Sequence, residues 1–465
     1  MHHRNTIGGS ARLRKALGTA AAVLGAASLA SCTVFSTEVK NPNAVTEDAI
    51  ATASAAAGSL VTGLYGAVNA AGNQLTGTSG AASDELTWVG SREYWNLLDV
   101  GDLGDPLNEY TDGQYPFVSQ ARWMANYVIP KLEGYDKTNS LRNRADLAQA
   151  YFLAATIYTL IGENYENFII SSDRVNNGDP VGENNMRVMF DSAIVYTGKG
   201  ITVATALNNQ PLRARLLGMQ ARAKWSKAVW ATLRTPRGFP ANPLINDAGA
   251  NADAAAALAA FGNNGARYRF DVIAQNAGGW FSTGSEMNSR LEIRAGNRYI
   301  VPNAAGTRPV DGAAGIAMRD PITGTTDPVT LKNIDECCRL SSTVNVGWTA
   351  SSAKEMLLIL AEAALASGNT ATFQQRINEI RAVDGLPEWT PASPVSARDI
   401  LVHSRQVNLF LQARRLTDHY RFQIRADRWV STRGNKPCFF PISYNERQQN
   451  PKAPQPAQDR PAACQ

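Results

Sequence analysis

Long apolar runs are missing from this chain. Outside the extreme N-terminus no stretch of about 18 apolar residues occurs, and the mean hydropathy is −0.24, which excludes a polytopic membrane protein. Cysteine and histidine are scarce, five and four in 465 residues, and neither C-x-x-C spacing nor clustered histidine supports a zinc centre. The 37 glycines show no three-residue period and no heptad repeat is sustained, so collagen-like and coiled-coil architectures fail. No G-x-S-x-G, P-loop, H-E-x-x-H or dinucleotide fingerprint is present. What the chain does hold is 9 Trp, 14 Tyr and 14 Phe, far more ring area than a disordered chain would carry.

The first 32 residues are the most informative. Arg4, Arg12, Arg14 and Lys15 form a basic segment, and Ala16–Ala30 is an apolar stretch of 15 residues. At about 1.5 Å per residue it is too short to span a hydrocarbon core of about 30 Å. It ends in Leu29-Ala30-Ser31-Cys32, which has the small residues of a signal-peptide cleavage site and resembles a bacterial lipobox. That resemblance implies a signal peptide over 1–31, cleavage before Cys32, and acylation of the Cys32 thiol and amine with diacylglycerol and palmitate-like chains. Such chains exceed what stable anchoring requires. Thr33 follows, and by the Gram-negative sorting rule the absence of Asp there points to the outer membrane. An uncleaved anchor, or an ordinary secretory signal with a chance cysteine, is the alternative. Loss of the four basic residues takes the formal net charge from +5 to +1, which leaves no electrostatic case for nucleic acid.

With Cys32 committed to lipid, Cys337, Cys338, Cys438 and Cys464 remain, and three disulfide connectivities are open. A bond between the adjacent Cys337 and Cys338 would close a strained ring; bonds to the C-terminal pair could staple the Pro-rich tail to the body.

A polar tether is expected over 32–45, with a single domain over 46–465. Helical signal runs from Thr46 to about Val68, while Leu75–Gly113 reads as loop with short helices. Helix resumes over Phe117–Leu132. Leu147, Ala150, Tyr151, Ala154, Tyr158 and Ile161 mark a strong helical stripe, closed by Gly162. Helices follow at about Met186–Leu207 and Arg213–Leu233, and short turns between them resemble tetratricopeptide-type pairs. Asn246–Leu331 is Gly-, Asn- and Pro-rich, and reads as a long functional loop. Ser352-x-x-Glu355 is a capping box. Met356, Ile359, Leu360 and Ala363 make one helix, and Phe373, Ile377 and Ile380 its partner. A last long helix is expected over Ser396–Arg425. The fold class is mainly α: helix pairs over about 117–233 and 351–425 supporting an irregular, loop-rich half near 246–331, with few short strands.

Four blocks recur in a familiar order: the lipobox with an Asn41-Pro42-Asn43 tether; Arg144-Ala145 leading to Ala150-Tyr151-Phe152 and Leu160-Ile161-Gly162; Ala361-Glu362-Ala363, Gly368-Asn369, Ile377-Asn378-Glu379-Ile380-Arg381 and Gly385-Leu386-Pro387; and Arg405–Arg421 followed by Phe440-Pro441-Ile442, Glu446 and Asn450-Pro451. Together they resemble the SusD/RagB family of outer-membrane nutrient-binding lipoproteins. The family's E-L-x-x-E-G-x-R-W-x-D-L-R is altered here to Asn408-Leu409, Gln412-Ala413, Arg415-Leu416 and Asp418-His419-Tyr420-Arg421, and Ser443 replaces a proline. The chain thus reads as a divergent member. The resemblance implies a lipid-anchored, surface-exposed protein of the outer membrane that captures an oligosaccharide or other nutrient without catalysis or cofactor. It would pass the ligand to a SusC-like, TonB-dependent barrel. The other class is a helical-repeat lipoprotein scaffold that binds peptide or protein in a concave groove.

Saccharide capture needs flat aromatic faces and convergent polar groups. Asp84-Glu85-Leu86-Thr87-Trp88 and Arg92-Glu93-Tyr94-Trp95-Asn96 supply both, and Trp280-Phe281 adds rings near Asn276, Asn288 and Arg290. Trp88, Tyr94, Trp95 and Trp280 are the candidate platforms; Asp84, Glu85, Arg92 and Asn96 are the candidate polar contacts. Asp84 and Glu85 make a poor acid–base pair, because sequence neighbours do not flank a substrate. His403 and His419, 16 residues apart, read as structural, and Glu362 and Arg381 as a helix-pair salt bridge or a solvated face. Cys32→Ala is expected to release the protein from the membrane or leave it uncleaved; unchanged membrane fractionation would contradict the lipobox reading.

Overall fold

The computed structural model describes residues 54–171, 177–234, 242–272, 283–303, 305–339, 347–430 and 438–455. Cys32, Trp280 and Cys464 lie outside them, as do the expected boundaries at 31 and 45. From Ser54 onward the contacts form one unit.

Helix dominates. In chain order the helices are α1 (Ala57–Ser83), α2 (Glu93–Asp99), α3 (Glu109–Lys137), α4 (Arg144–Asn164), α5 (Arg187–Ala206), α6 (Gln210–Arg234), α7 (Ala248–Ala260), α8 (Thr283–Asn288), α9 (Pro328–Cys337), α10 (Ala353–Ala366), α11 (Thr370–Val383), α12 (Ala397–Asn408), α13 (Arg415–Phe422) and α14 (Tyr444–Gln449). Six short strands, β1 (Leu86–Trp88), β2 (Ile169–Ile170), β3 (Asp179–Pro180), β4 (Arg269–Val272), β5 (Ile293–Ala295) and β6 (Trp348–Ser352), form three antiparallel pairs. β1 pairs with β5 so that Thr87 faces Arg294.

Sequence explains where the helices start. Asn108, Asn143, Asp247, Asp327, Ser352, Asn369, Ser396 and Ser443 each accept from a backbone N–H of the first turn, satisfying donors that the helix leaves orphaned. Ser352 performs half of the expected capping box: its Oγ accepts from Glu355 N at 3.2 Å, whereas the Glu355 carboxylate turns inward to Arg414. The predicted stripe on α4 is buried along its length, and α4, α5, α6 and α7 pack successively against one another. Met356 and Ile359 of α10 face Trp225 of α6, while Leu357, Leu358 and Ala361 face Phe373, Ile377 and Ile380 of α11.

Three expectations are corrected. The first helix runs on to Ser83 rather than ending near Val68, because Ala and Gly at its buried positions let neighbours approach closely. The region 246–331 contains α7, an alanine helix with too little sidedness to register as a stripe. The expected final helix is two, α12 and α13, separated by a turn in which Leu411 and Ala413 adopt φ of 52° and 58°.

Of the three connectivities left open for the cysteines, the structure takes the one with the strained vicinal ring. Cys337 and Cys338 are bonded to each other, both buried beside Met287 at the end of α9. Cys338 leaves the helical path there, with φ −129° and ψ −6°. Cys438 is disulfide-bonded as well.

Gly72 of α1 shows why the helix needs small residues. A Cβ there would lie 2.2 Å from the Trp348 ring of β6, whereas one on Gly66 would meet nothing within 4 Å. Gly72→Ala is therefore expected to destabilise by about 1–3 kcal/mol through overpacking. Gly66→Ala should stabilise by about 0.5–1 kcal/mol through helix propensity. Urea unfolding checks both signs.

Candidate functional site

The segment expected to carry the site lies where α1 gives way to β1 and α2. Asp84 ends α1 with φ 136° and is buried. Its carboxylate accepts from Arg415 Nε at 3.0 Å and Nη2 at 3.3 Å, and lies 3.0 Å from Arg298 Nε and 3.2 Å from His419 Nε2. Burial alone would raise this carboxyl, but His419 and Arg415 override it and hold the group well below the usual carboxylate range. Glu85 next door behaves oppositely. Its Oε1 accepts from Leu411 N at 2.9 Å, Oε2 has no partner, and burial pushes the carboxyl up to about 8. Neither carboxylate can touch a ligand from solvent; both are structural, contrary to the expectation that they are contacts.

Trp95 is corrected in the same way. It is 1% exposed, stacks on Tyr110 of α3 at 3.9 Å, and donates from Nε1 to Glu286 Oε2 of α8 at 3.2 Å. An indole held by packing and a hydrogen bond is a wall, not a platform.

Trp88, Arg92, Tyr94 and Asn96, by contrast, are half-buried at the surface. Their turn is fixed from beneath. Glu292, just before β5, accepts from the backbone of Ser91 and Arg92, each at 2.8 Å, and from Ser91 Oγ at 3.0 Å. A Cβ on Gly90 would fall 2.1 Å from that carboxylate, so only glycine fits over it. Asp99 ties β1 to α2 by accepting from Thr87 Oγ1 at 2.7 Å and Trp88 N at 2.9 Å. Burial pushes its carboxyl up to about 6 despite the Arg428 guanidinium at 2.9 Å. Arg428 also donates to Asn96 Oδ1 at 3.1 Å. Arg92 lies 3.4 Å from the Tyr110 hydroxyl and 3.6 Å from Glu109. The Trp88 indole N–H has no acceptor among the described residues. The structure thus brings four of the eight predicted residues to one rigid surface turn, buries three behind it, and leaves Trp280 outside the described residues.

Two features were not singled out from the sequence. A cleft of about 200 Å³ lies between β4, β6 and α9, lined by Arg269, Asp271, Glu336, Trp348, Phe410 and Gln412; its residues come from separate segments with no shared motif. Asp320, Asp327 and His403 place ligand-type atoms within 4.8 Å of one another, but Arg381 occupies Asp320 at 2.8 Å and the α9 cap occupies Asp327. His403 in turn contacts Asp327 at 3.0 Å. These contacts account for the cluster as a brace between α9, α11 and α12. They also show that Arg381 is buried and paired with Asp320, while Glu362 joins α10 to α13 through Arg421 at 2.5 Å.

Because Glu85 keeps its proton far above its ordinary range of about 4.5, the folded state binds a proton that the unfolded state has lost. The stability this group contributes is full below about 4.5 and is lost as pH rises through about 8. Glu85→Gln is expected to remove that slope from a stability–pH curve between those values; an unchanged slope would place the titration elsewhere.

Residues 353–437, from the start of α10 to just beyond α13, match the SusD family model. No curated protein matches the chain. Among solved structures, a SusD homologue from Bacteroides thetaiotaomicron VPI-5482 is 14% identical with a TM-score of 0.60, covering 89% of this chain and 99% of its own. A SusD-like protein from Bacteroides fragilis NCTC 9343 is 12% identical with a TM-score of 0.56, covering 89% and 98%. NanU from B. fragilis is 12% identical with a TM-score of 0.54, covering 90% and 100%. At these identities the structural likeness is one of fold. The chain has the mainly helical SusD-like fold and carries, in residues 353–437, the sequence signature of the SusD/RagB family.

Proposed function

We propose that this protein is a cell-surface binding lipoprotein of the outer membrane that captures an oligosaccharide and hands it to a SusC-like, TonB-dependent barrel. The observation that carries the reading is the surface turn of Trp88, Arg92, Tyr94 and Asn96. It offers aromatic faces, a guanidinium and an amide together, on a backbone pinned by Glu292 and Asp99. Sugars bind well to such surfaces, because ring C–H groups pack on aromatic faces while hydroxyls take fixed polar partners. A pre-ordered turn also lowers the entropy that binding must overcome.

Capture without chemistry is the reading favoured by the carboxylates. Asp84 is ionised but buried against arginine and histidine, and Glu85 is sealed, so these two carboxyls are not presented to a ligand as an acid–base pair. Attachment through a lipid on Cys32 rests on the Leu29-Ala30-Ser31-Cys32 sequence; among the described residues no helix is long and apolar enough to cross a membrane.

The test has two arms. Glycan-array screening followed by calorimetry on the strongest hit should show Trp88→Ala and Tyr94→Ala weakening binding by about 1–3 kcal/mol with melting unchanged. Trp95→Ala should instead lower the melting temperature. Pull-down from detergent-solubilised membranes should recover a large β-barrel. Peptide binding with no glycan binding would favour the scaffold reading and overturn this one.

A further inference from the structure

Among the described residues, the arginines exposed to 3% or less keep to one pattern. Arg222 pairs with Glu163, Arg405 with Asp418, Arg414 with Glu355, Arg415 with Asp84, and Arg421 with Glu362. That is the expected pattern, since a buried cation without an anion is costly. Arg122 of α3 breaks it. The residue is 2% exposed, and its Nη2 donates to the Ser171 carbonyl at 2.6 Å. Among the described residues Nε and Nη1 have no acceptor and no carboxylate pairs with it.

The guanidinium does not sit in solid packing. It lines a cavity of about 370 Å³ bounded by Tyr115, Ser119, Gln120 and Trp123 of α3, Ile169 of β2, Ser171, and Glu446 of α14. This volume lies within the range of small-ligand sites and holds one or two sugar rings. Trp123 is half-buried and lies parallel to Tyr127, with ring centroids 5.1 Å apart and planes 19° from each other, which gives the cavity a fixed aromatic wall. Tyr115 is locked by accepting from Ile169 N at 3.0 Å, so it shapes the cavity rather than adapting to a guest. Glu446 brings an acceptor for hydroxyl groups into the same space.

We infer that this α3–β2–α14 cavity is a binding subsite for the carboxylate of an acidic sugar, with Arg122 as the anion receptor. Trp123 takes the apolar face of the ring, and Glu446 accepts from its hydroxyls. The ligand carboxylate supplies the close ion pair that no described carboxylate, Glu446 included, makes with Arg122. A neutral sugar would leave the guanidinium uncompensated, and a compact inorganic anion would leave the aromatic wall empty, so both charge and ring are required. The site is separate from the Trp88 turn, and its occupant need not be the ligand bound there.

The test uses the full mature protein and ligand-observed NMR titration with galacturonate, glucuronate, galactose and inorganic phosphate. At least one uronate should bind ten-fold or more tighter than galactose. Arg122→Met should abolish that preference, Arg122→Lys should keep part of it, and Trp123→Ala should weaken uronate binding several-fold. Because Arg122→Met removes an unpaired buried charge, its ligand-free melting temperature should be equal to or above that of the parent. Failure of both uronates to bind would overturn the assignment, as would equal affinity for galactose. Phosphate binding as tight as uronate would do the same. So would a marked fall in the Arg122→Met melting temperature, since the guanidinium would then be structural.

Discussion

The fold is organised around charges that are buried and paired. Three arginines within eight residues near the C-terminus, Arg414, Arg415 and Arg421, together with Arg405 nine residues upstream, meet carboxylates delivered by distant helices. Glu355 and Glu362 come from α10, and Asp84 from the end of α1. Asp418 joins Arg405 to Arg421, and both guanidiniums lie over the Trp225 ring of α6, at 4.5 and 4.8 Å. Removing one partner of such a pair strands a charge and costs about 3–5 kcal/mol, whereas an apolar replacement of the whole pair is often neutral. Here the network sets geometry: each pair is satisfied in one helix register only, so it specifies how α1, α6, α10 and α13 meet.

That constraint reaches the surface through two adjacent residues with opposite electrostatics. Asp84 stays ionised because His419 and Arg415 face it, while burial keeps Glu85 protonated against the weaker pull of the Leu411 amide and Arg415. Asp84 clamps the end of α1; Glu85 holds the left-handed turn at Leu411 between α12 and α13. β1 starts one residue later, so the Trp88 turn is mounted on a junction fixed from both ends of the chain. Glu292 and Asp99 then remove the remaining backbone freedom of that turn. Rigid support beneath an exposed aromatic is what distinguishes a platform from an accidental surface ring.

The amphipathic helices were legible in the sequence because apolar spacing reports a helix that buries one face; the stripe from Leu147 to Ile161 became α4. Alanine carries little of that signal, so α7 was hidden inside a region rich in Gly and Asn. The break at 409–414 was invisible for another reason. It contains neither Pro nor Gly, and Leu411 and Ala413 hold positive φ through tertiary contacts, among them the Glu85 bond to Leu411 N. Candidate site residues were found as a cluster but not sorted. Trp88 and Trp95 are seven residues apart in the same aromatic stretch, and nothing local says that one faces solvent while the other stacks on Tyr110. Arg122 looked like any helix arginine, because the missing partner is a fact of three dimensions.

The placement of the family signature bears on how such chains diversify. Residues 353–437 carry the match, and within them Glu355, Glu362, Arg405, Arg415, Asp418 and Arg421 all belong to the buried ionic core. Their chemistry is spent on helix register, so a match in this segment speaks for architecture and is silent on ligand. The surface turn at 88–96 and the cavity around Arg122 lie outside the matched segment. Side chains there can change without breaking a buried ion pair, as long as Glu292 and Asp99 hold the turn. A fold whose buried ion pairs are concentrated in one segment can keep its frame while surface side chains elsewhere change, in keeping with a shared fold at 12–14% identity.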